Sequence, residues 1–158
     1  MVVEDDLCRN YFTETTGNKR AILYAYYLDL VPGEPSFQVG IGSVEGEPGI
    51  WALYDGIEFF AYNNDALLGS LPVNASFAYY FAMSVFVTVN GTAFFEMAEL
   101  EDDGSPVSAI SMEYELDPPF NDTGVPYFEL ADDPEDPDVG VVNSFYADLC
   151  PVEGTYYS

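Results

Sequence analysis

The stretch 74–100 places the strongest constraint on what this chain can fold into. Apolar side chains occupy every second position from 77 to 89, which is the two-residue period of a β-strand and not the 3.6-residue period of a helix. β-branched and aromatic residues, which favour strands, crowd the same run. Asn90-Gly91 follows directly and is the pair that a type I′ turn prefers. The stretch therefore predicts one long β-hairpin.

Shorter runs of the same character recur along the chain, separated by residues that favour turns. They predict strands at 20–30, 37–43, 50–54, 57–62, 107–116, 125–130 and 139–149. Asp55-Gly56 predicts a second type I′ hairpin, residues 63–65 predict a turn, and 66–71 is predicted as a short apolar link with room for one helical turn. The glycines of 37–43 predict a bulge or the close approach of a neighbouring backbone.

Eight or nine short strands with regularly spaced turns, and no convincing helix, predict an all-β fold. The favoured architecture is an antiparallel β-sandwich of jelly-roll or immunoglobulin-like type, and a β-barrel is the alternative. With 158 residues the chain is long enough for one domain with a sizeable core. We expect residues 1–18 to form an N-terminal arm and 151–158 a C-terminal tail, and both are candidates for contacts with another subunit.

The chain is strongly acidic, with 28 Asp and Glu residues against 3 Lys and Arg and a formal net charge of −25. Its cations, Arg9, Lys19 and Arg20, are too few to neutralise the phosphates of nucleic acid or an anionic membrane surface, so both are excluded as partners. Apolar runs also stop short of the length that spans a bilayer. Repulsion among the carboxylates must be relieved by salt, by bound cations or by a cationic partner.

One acidic loop has the density of oxygen ligands that calcium requires. Calcium takes roughly six to eight oxygens at close range. The carboxylates of this loop belong to Asp132, Asp133, Glu135, Asp136 and Asp138. The prolines and the spacing differ from those of an EF-hand, and a solvated acidic loop is the alternative interpretation. The sequence thus offers a candidate calcium site and indicates no other cofactor.

Two cysteines and three Asn-x-Ser/Thr triplets favour an extracellular or cell-surface location. Cys8 and Cys150 lie near opposite ends of the chain, and chain ends often lie close together in a folded domain, so that a disulfide between them is natural. The alternative is a pair of unrelated thiols in a reducing compartment. Asn74, Asn90 and Asn121 begin the triplets and are the candidate glycosylation sites.

The residue inventory removes most catalytic chemistry. The chain has no histidine, which excludes Ser-His-Asp and Cys-His centres and His-ligated zinc. No glycine-rich nucleotide fingerprint is present. Paired carboxylates remain, as in glycoside hydrolysis, with Glu58, Glu96 and Asp29 as the inward-pointing candidates. Because carboxylates are so abundant here, their presence singles out no pair, and we expect no catalytic residue and no enzyme.

Aromatic residues give the best indication of function. The chain has 13 Tyr and 12 Phe, and several predicted strands carry apolar residues on both faces, although a sandwich buries only one face of each sheet. Loops, a ligand or another chain must cover the surplus.

The favoured hypothesis is an extracellular structural or adhesive subunit of a filament, sheath or surface layer. It would self-associate through sheet edges, aromatic patches and tails, with calcium bridging acidic surfaces. The first alternative is a β module that binds carbohydrate or an apolar ligand, with Trp51, Tyr54 and Tyr62 as a platform for stacking sugar rings. A carboxylate-based hydrolase is the third hypothesis.

Overall fold

The computed structural model describes residues 18–27, 36–43, 45–73, 80–120, 124–131, 140–148 and 155–157, of which 26–27, 130–131, 140–148 and 155–157 are described by their backbone. These segments contain eleven β-strands and no helix, and thus none that could cross a membrane. The strands are β1 (Lys19–Tyr27), β2 (Ser36–Gly42), β3 (Ile50–Tyr54), β4 (Glu58–Asn63), β5 (Ala66–Pro72), β6 (Phe81–Val87), β7 (Thr92–Leu100), β8 (Pro106–Glu115), β9 (Val125–Ala131), β10 (Gly140–Asp148) and β11 (Thr155–Tyr157). Compared with the predicted set, β5 and β11 are additional.

The strands form two antiparallel sheets. One sheet has six strands in the order β11-β10-β1-β6-β7-β8, and the other has five in the order β5-β4-β3-β2-β9. The chain changes sheets after β1, β5, β8 and β9, so that β1 lies between β10 and β6, and β2 lies between β9 and β3. The sheets are not closed into a barrel, and the predicted antiparallel β-sandwich is confirmed.

Alternate side chains of the two sheets fill the space between them. Every second residue of β6 is buried, beginning at Phe81 and ending at Val87, as the two-residue period predicts. Phe37 of β2 and Tyr54 of β3 approach Phe81 from the facing sheet, with ring centroids 4.9 Å and 5.1 Å away in edge-to-face geometry. Such aromatic pairs contribute about 1 kcal/mol each beyond the burial of apolar area.

β1 begins with two cations, Lys19 and Arg20, whose side chains lie on opposite faces of the sheet because successive side chains of a strand alternate. Lys19 is 2% exposed, and its aliphatic stem lies over Gly124, where Cδ is 3.1 Å from the place that a Cβ would occupy. The absence of a side chain at Gly124 therefore makes room for the lysine. Arg20 follows on the outer face of the six-stranded sheet.

The hairpin predicted around Asn90-Gly91 joins β6 to β7, with Val87 paired to Ala93. Gly91 has a φ of +89°, but Asn90 does not have a positive φ. The Gly91 N–H donates to the Thr88 carbonyl at 3.1 Å. The predicted type I′ turn is therefore wrong, because a three-residue loop ending in one left-handed glycine closes this hairpin.

The second predicted hairpin joins β3 to β4 and also has one positive-φ glycine, Gly56, with a φ of +91°. The carboxylate of Asp55 accepts hydrogen bonds from the N–H groups of Ile57 and Glu58, both at 2.9 Å. The type I′ prediction is wrong here too, because the loop is centred one residue later, on Gly56 and Ile57.

Residues 66–71, predicted as a link with room for a helical turn, belong to strand β5, which pairs with β4. The prediction is wrong because β5 is an edge strand whose side chains are mostly exposed, so its sequence lacks apolar alternation. Asn64 has a φ of +50° and lies in the two-residue turn between Asn63 and Ala66, which pair with each other.

The predicted arm and tail are described only in part. Thr155–Tyr157 of the tail forms β11 and pairs with β10 of the same chain. Residues 1–17, 151–154 and 158 lie outside the described residues. Contacts of the arm or the tail with another subunit stay a prediction.

Candidate functional site

The outer face of the six-stranded sheet carries a groove across β1, β6 and β7. Residues that alternate with the buried ones along these strands point away from the core. The strand register aligns them in three parallel rows. The rows are Arg20, Phe86 and Phe94; Ile22, Ser84 and Glu96; and Tyr24, Ala82 and Ala98. We call the hollow that these rows line the outer groove.

The shape of the outer groove follows from side-chain size along the rows. Ala82 and Ala98 lie side by side in the third row and leave a depression. Leu100 and Pro106, from the two strands of the β7–β8 hairpin, line the same hollow beyond the alanines. The hollow has a volume of about 410 Å³, which lies within the range of small-molecule sites, roughly 300–1,000 Å³.

One end of the outer groove combines a cation with aromatic rings. The guanidinium carbon of Arg20 lies 5.2 Å from the centroid of the Phe86 ring, which is the geometry of a cation–π contact. Phe94 lies beside Phe86, with ring centroids 5.9 Å apart, and is 37% exposed. This end therefore offers a ring surface and N–H donors to the same ligand.

The middle row supplies hydrogen-bonding groups. Glu96 is exposed and lies opposite Ser84 of β6 on one neighbouring strand and opposite Ser111 of β8 on the other. An ionised carboxylate only accepts hydrogen bonds, whereas a hydroxyl both donates and accepts. The row therefore presents acceptors and donors within one strand spacing of each other.

The other end of the outer groove adjoins the acidic turn between β7 and β8. Glu101, Asp102 and Asp103 are exposed there. The Ser105 N–H donates to the Asp103 carboxylate at 2.9 Å, and hydrogen bonds from the side chain and backbone of Ser105 lower the pKa of Asp103. This end of the groove is therefore anionic at neutral pH.

The predicted stacking platform lies on the outer face of the other sheet and lacks one of its members. Trp51 and Tyr62 stack, with ring centroids 4.2 Å apart and an angle of 9° between the planes. The Trp51 indole N–H donates to the Asn64 carbonyl at 2.9 Å. Tyr54 is 1% exposed and faces the core. The prediction is wrong for Tyr54 because it lies three positions after Trp51, and an odd offset along a strand places side chains on opposite faces.

Tyr127 of β9 extends this aromatic surface and covers the glycines of β2. A Cβ at Gly40 would lie 2.8 Å from the Tyr127 hydroxyl, and one at Gly42 would lie 3.4 Å from the Tyr127 ring. The hydroxyl donates to the Pro48 carbonyl at 2.9 Å, and burial, together with the charge of Glu129, raises the pKa of Tyr127. The predicted approach of a neighbouring backbone is confirmed at Gly42, where a Cβ would lie 3.0 Å from the Glu47 carbonyl oxygen, whereas side chains make the close approach at Gly40.

The candidate carboxylates for hydrolysis do not meet. The predicted inward orientation of Glu96 and Glu58 is wrong, because both residues alternate with buried neighbours and lie on the outer faces of opposite sheets. Two packed sheets are about 10 Å apart, so these groups cannot flank one glycosidic bond. Asp29 lies outside the described residues.

Several predicted site residues lie in segments that the structure does not describe. These are Cys8, Cys150, Asn74, Asn121, Asp132, Asp133, Glu135, Asp136 and Asp138. Asn90 is described and lies exposed at the tip of the β6–β7 hairpin. Within the described segments, no three potential metal ligands lie together. The disulfide, the calcium site and glycosylation stay predictions.

Comparison with known proteins indicates the fold without assigning a family. No protein-family model and no curated protein matches the sequence. A protein of unknown function from Shewanella oneidensis MR-1 is similar in structure, with a TM-score of 0.50 and 7% identity over 84% of this chain and 56% of that protein. This chain thus spans little more than half the length of that protein, and the likeness concerns the fold alone.

Two further solved structures are similar at a lower score. Sheep galectin-11, in complex with glycerol, has a TM-score of 0.48 and 17% identity over 84% of this chain and 90% of its own. The CBM2 module of the evolved Dit of Lactobacillus casei BL23 phage J-1 has a TM-score of 0.49 and 8% identity over 91% of this chain and 62% of its own.

The surplus of aromatic side chains is evident in the sequence, but the groove residues are not. Arg20, Ser84 and Phe94 come from three strands, and β1 reaches β6 only because the chain changes sheets twice between them. The available signal was the presence of large residues on both faces of β1, together with alanines at positions 82 and 98.

Proposed function

We propose that this chain is a saccharide-binding β-sandwich module and that the outer groove is its binding site. The observation that carries the proposal is the lining of the groove, where exposed aromatic surface lies beside a guanidinium group, a carboxylate and a hydroxyl. Sugars present C–H faces that pack on aromatic rings and hydroxyls that both donate and accept hydrogen bonds. A purely apolar ligand would cover the Glu96 carboxylate and the Ser84 hydroxyl without forming hydrogen bonds to them.

Each polar group has a role in this proposal. Glu96 accepts hydrogen bonds from two neighbouring sugar hydroxyls, since a carboxylate has two oxygens. Arg20 donates hydrogen bonds to the sugar at the Phe86 end of the groove. The Ser84 hydroxyl, beside Glu96 on the groove floor, both donates and accepts. Phe94, which is 37% exposed, packs against the apolar face of a sugar ring.

The proposed module binds its ligand without transforming it. Glycoside hydrolysis needs two carboxyl groups roughly 5 to 9.5 Å apart across the scissile bond. Glu96 is the one carboxylate among the described residues that line the outer groove.

The test is calorimetric titration of the folded chain with uncharged oligosaccharides of glucose, galactose, mannose and xylose. Glu96→Gln keeps the shape of the groove and is expected to weaken binding about tenfold, because the charged acceptor is lost. Ala98→Leu fills the floor and is expected to abolish binding. Glu58→Gln and Ala66→Leu make the same changes away from the groove and are expected to bind like the wild type.

Two outcomes would refute this proposal. One is the absence of binding to every oligosaccharide at millimolar concentration by a chain that is shown to be folded. The other is equal loss of affinity in the groove variants and their matched controls.

Self-association through the edge strand β8 is the second candidate function. This strand is ten residues long, ends its sheet and is exposed over most of its length. An exposed edge offers backbone groups for pairing with another chain. If the chain self-associates through β8, its copies would assemble outside the cell, with calcium bridging their acidic surfaces.

Light scattering with and without a calcium chelator at fixed ionic strength tests this candidate. Val107→Lys places a charge on the edge, whereas Val89→Lys places the same charge on a valine of equal exposure at the β6–β7 turn. Assembly that is lost only in Val107→Lys supports edge pairing, and a wild-type monomer in both solutions refutes it.

A further inference from the structure

The charges around the outer groove are strongly uneven. Arg20 is the one described cation that lines it, and its guanidinium group lies over the Phe86 ring. At the other end are the exposed carboxylates of Glu101, Asp102 and Asp103. Glu96 adds a negative charge inside the groove, so the one cation is outnumbered by the carboxylates within and beside the groove.

The rest of the chain strengthens this asymmetry. The formal net charge is −25 with only three cations in the sequence, and one of these, Lys19, is buried in the core. Summed surface charge produces potentials of several kT that repel ligands of the same sign. An anionic ligand must therefore approach against the field of the whole domain.

We infer that the outer groove selects saccharides that carry no anionic group, and that an amino sugar binds most tightly at low ionic strength, with its ammonium group between Glu96 and the acidic turn. This inference rests on the proposed function. A sulfate or carboxylate on the sugar would meet like charges wherever it lay beyond the reach of Arg20. An ammonium group there would donate a charge-assisted hydrogen bond to Glu96 and would be attracted by the carboxylates of the turn.

The experiment uses glucose, galactose and mannose oligosaccharides, each in uncharged, amino-substituted and sulfated form. Affinities are measured at ionic strengths of about 10 mM and about 1 M, where the screening length falls from about 30 Å to about 3 Å. The uncharged form is expected to bind equally under both conditions. The amino form is expected to bind about tenfold more tightly at low salt, and the sulfated form about tenfold more weakly than the uncharged one.

A pair of double variants locates the effect. Asp102→Asn with Asp103→Asn neutralises the turn beside the groove. Glu45→Gln with Glu47→Gln neutralises two exposed carboxylates in the β2–β3 loop. The first pair is expected to remove most of the preference for the amino form, and the second is expected to preserve it. Equal losses in both pairs would overturn the assignment to the turn.

The two failures are distinguishable. A sulfated form that binds at low salt as tightly as its uncharged parent overturns the charge selection and leaves saccharide binding intact. If no form of any sugar binds to the folded chain, the proposed function itself fails, and the inference fails with it.

Discussion

The hydroxyl group of Tyr114 on β8 occupies the position where a side chain at Gly69 on β5 would begin. These strands are the edges of different sheets, so the contact closes one open side of the sandwich. The hydroxyl also lies 3.5 Å from the Met112 sulfur. Gly69→Ala would overlap with this hydroxyl, and we expect it to lower the free energy of unfolding by about 1–3 kcal/mol in urea titrations.

Removing the hydroxyl tests the cause of that loss. Tyr114→Phe should recover part of the stability in the Gly69→Ala background, because the atom nearest the new methyl group is gone. Ser70→Ala, on the next residue of β5 and exposed, is the control and should have little effect. Additive effects of the two changes would contradict the proposed overlap.

Asn64 joins the turn between β4 and β5 to the start of β3, and we expect its replacement to destabilise the five-stranded sheet. Its side-chain oxygen accepts a hydrogen bond from the Gly49 N–H at 2.9 Å, and its backbone carbonyl accepts one from the Trp51 indole N–H at the same distance. Asn64→Ala loses the side-chain acceptor and strains the positive φ, at a cost of about 2 kcal/mol. Unfolding can be followed through the fluorescence of Trp51, the one tryptophan of the chain.

The variants of this turn should follow an order. Asn64→Gly tolerates the φ of +50° and loses only the side-chain hydrogen bond, so its cost should be about half as large. Asp65→Ala, on the exposed neighbouring residue, should be close to the wild type. If glycine proves as destabilising as alanine, backbone strain is not part of the cost.

Because Tyr54 is buried, we expect the free energy of unfolding to fall at alkaline pH. Burial, with a smaller contribution from the charge of Asp55, raises the pKa of Tyr54 from 10.0 to about 12. Above pH 10 the unfolded chain releases this proton while the folded chain retains it, so stability falls as the pH rises from about 10 towards 12. The contribution of this group is on the order of 2 kcal/mol. Urea titrations at pH 8, 10 and 11 would measure it.

Tyr54→Phe should make the fall in stability above pH 10 shallower, although part should remain because the pKa of Tyr127 is also raised. Tyr62→Phe, on the outer face, is the control for removing a tyrosine hydroxyl. An identical pH dependence in the wild type and Tyr54→Phe would contradict the role assigned to the buried phenol.

The predicted disulfide between Cys8 and Cys150 is open to a direct test. In the six-stranded sheet Arg20 pairs with Asp148, so the strand that follows Cys8 in sequence lies beside the strand that leads to Cys150. Closing so long a loop should stabilise the fold by about 4–5 kcal/mol. Mass spectrometry under non-reducing conditions, with urea titrations before and after reduction, would measure both. Two free thiols in the protein purified without reductant would contradict the prediction.

The core could be predicted from the sequence because it depends on a local pattern. The alternation from Phe81 to Val87 fixes which side chains are buried whatever the strand order. The same rule, applied along β3, would have separated Tyr54 from Trp51. Turn types were less predictable, because Asn90-Gly91 suits more than one loop length and the register of the flanking strands decides between them.

The outer groove could not be predicted because its residues are brought together by strand order. Tyr24 lies opposite Ala82 only after the chain has crossed to the second sheet and returned. No short motif marks such a juxtaposition. Edge strand β5 was missed for a related reason, since a half-exposed strand containing Gly69 has little periodicity of its own.

The adjacent cations Lys19 and Arg20 also act against a slipped sheet. A shift of β1 by one residue that moved Arg20 into the place of Ala21 would exchange the faces of the strand and would also bring Tyr24 into the place of Ala25. A guanidinium group and a phenol would then replace two small apolar side chains in the core, while Lys19 would take the place of Arg20 in the outer groove. A mispaired conformer would thus be unstable and would lack the guanidinium group of the groove, so the residues proposed to bind the ligand also help to encode the correct pairing of the strand that carries them.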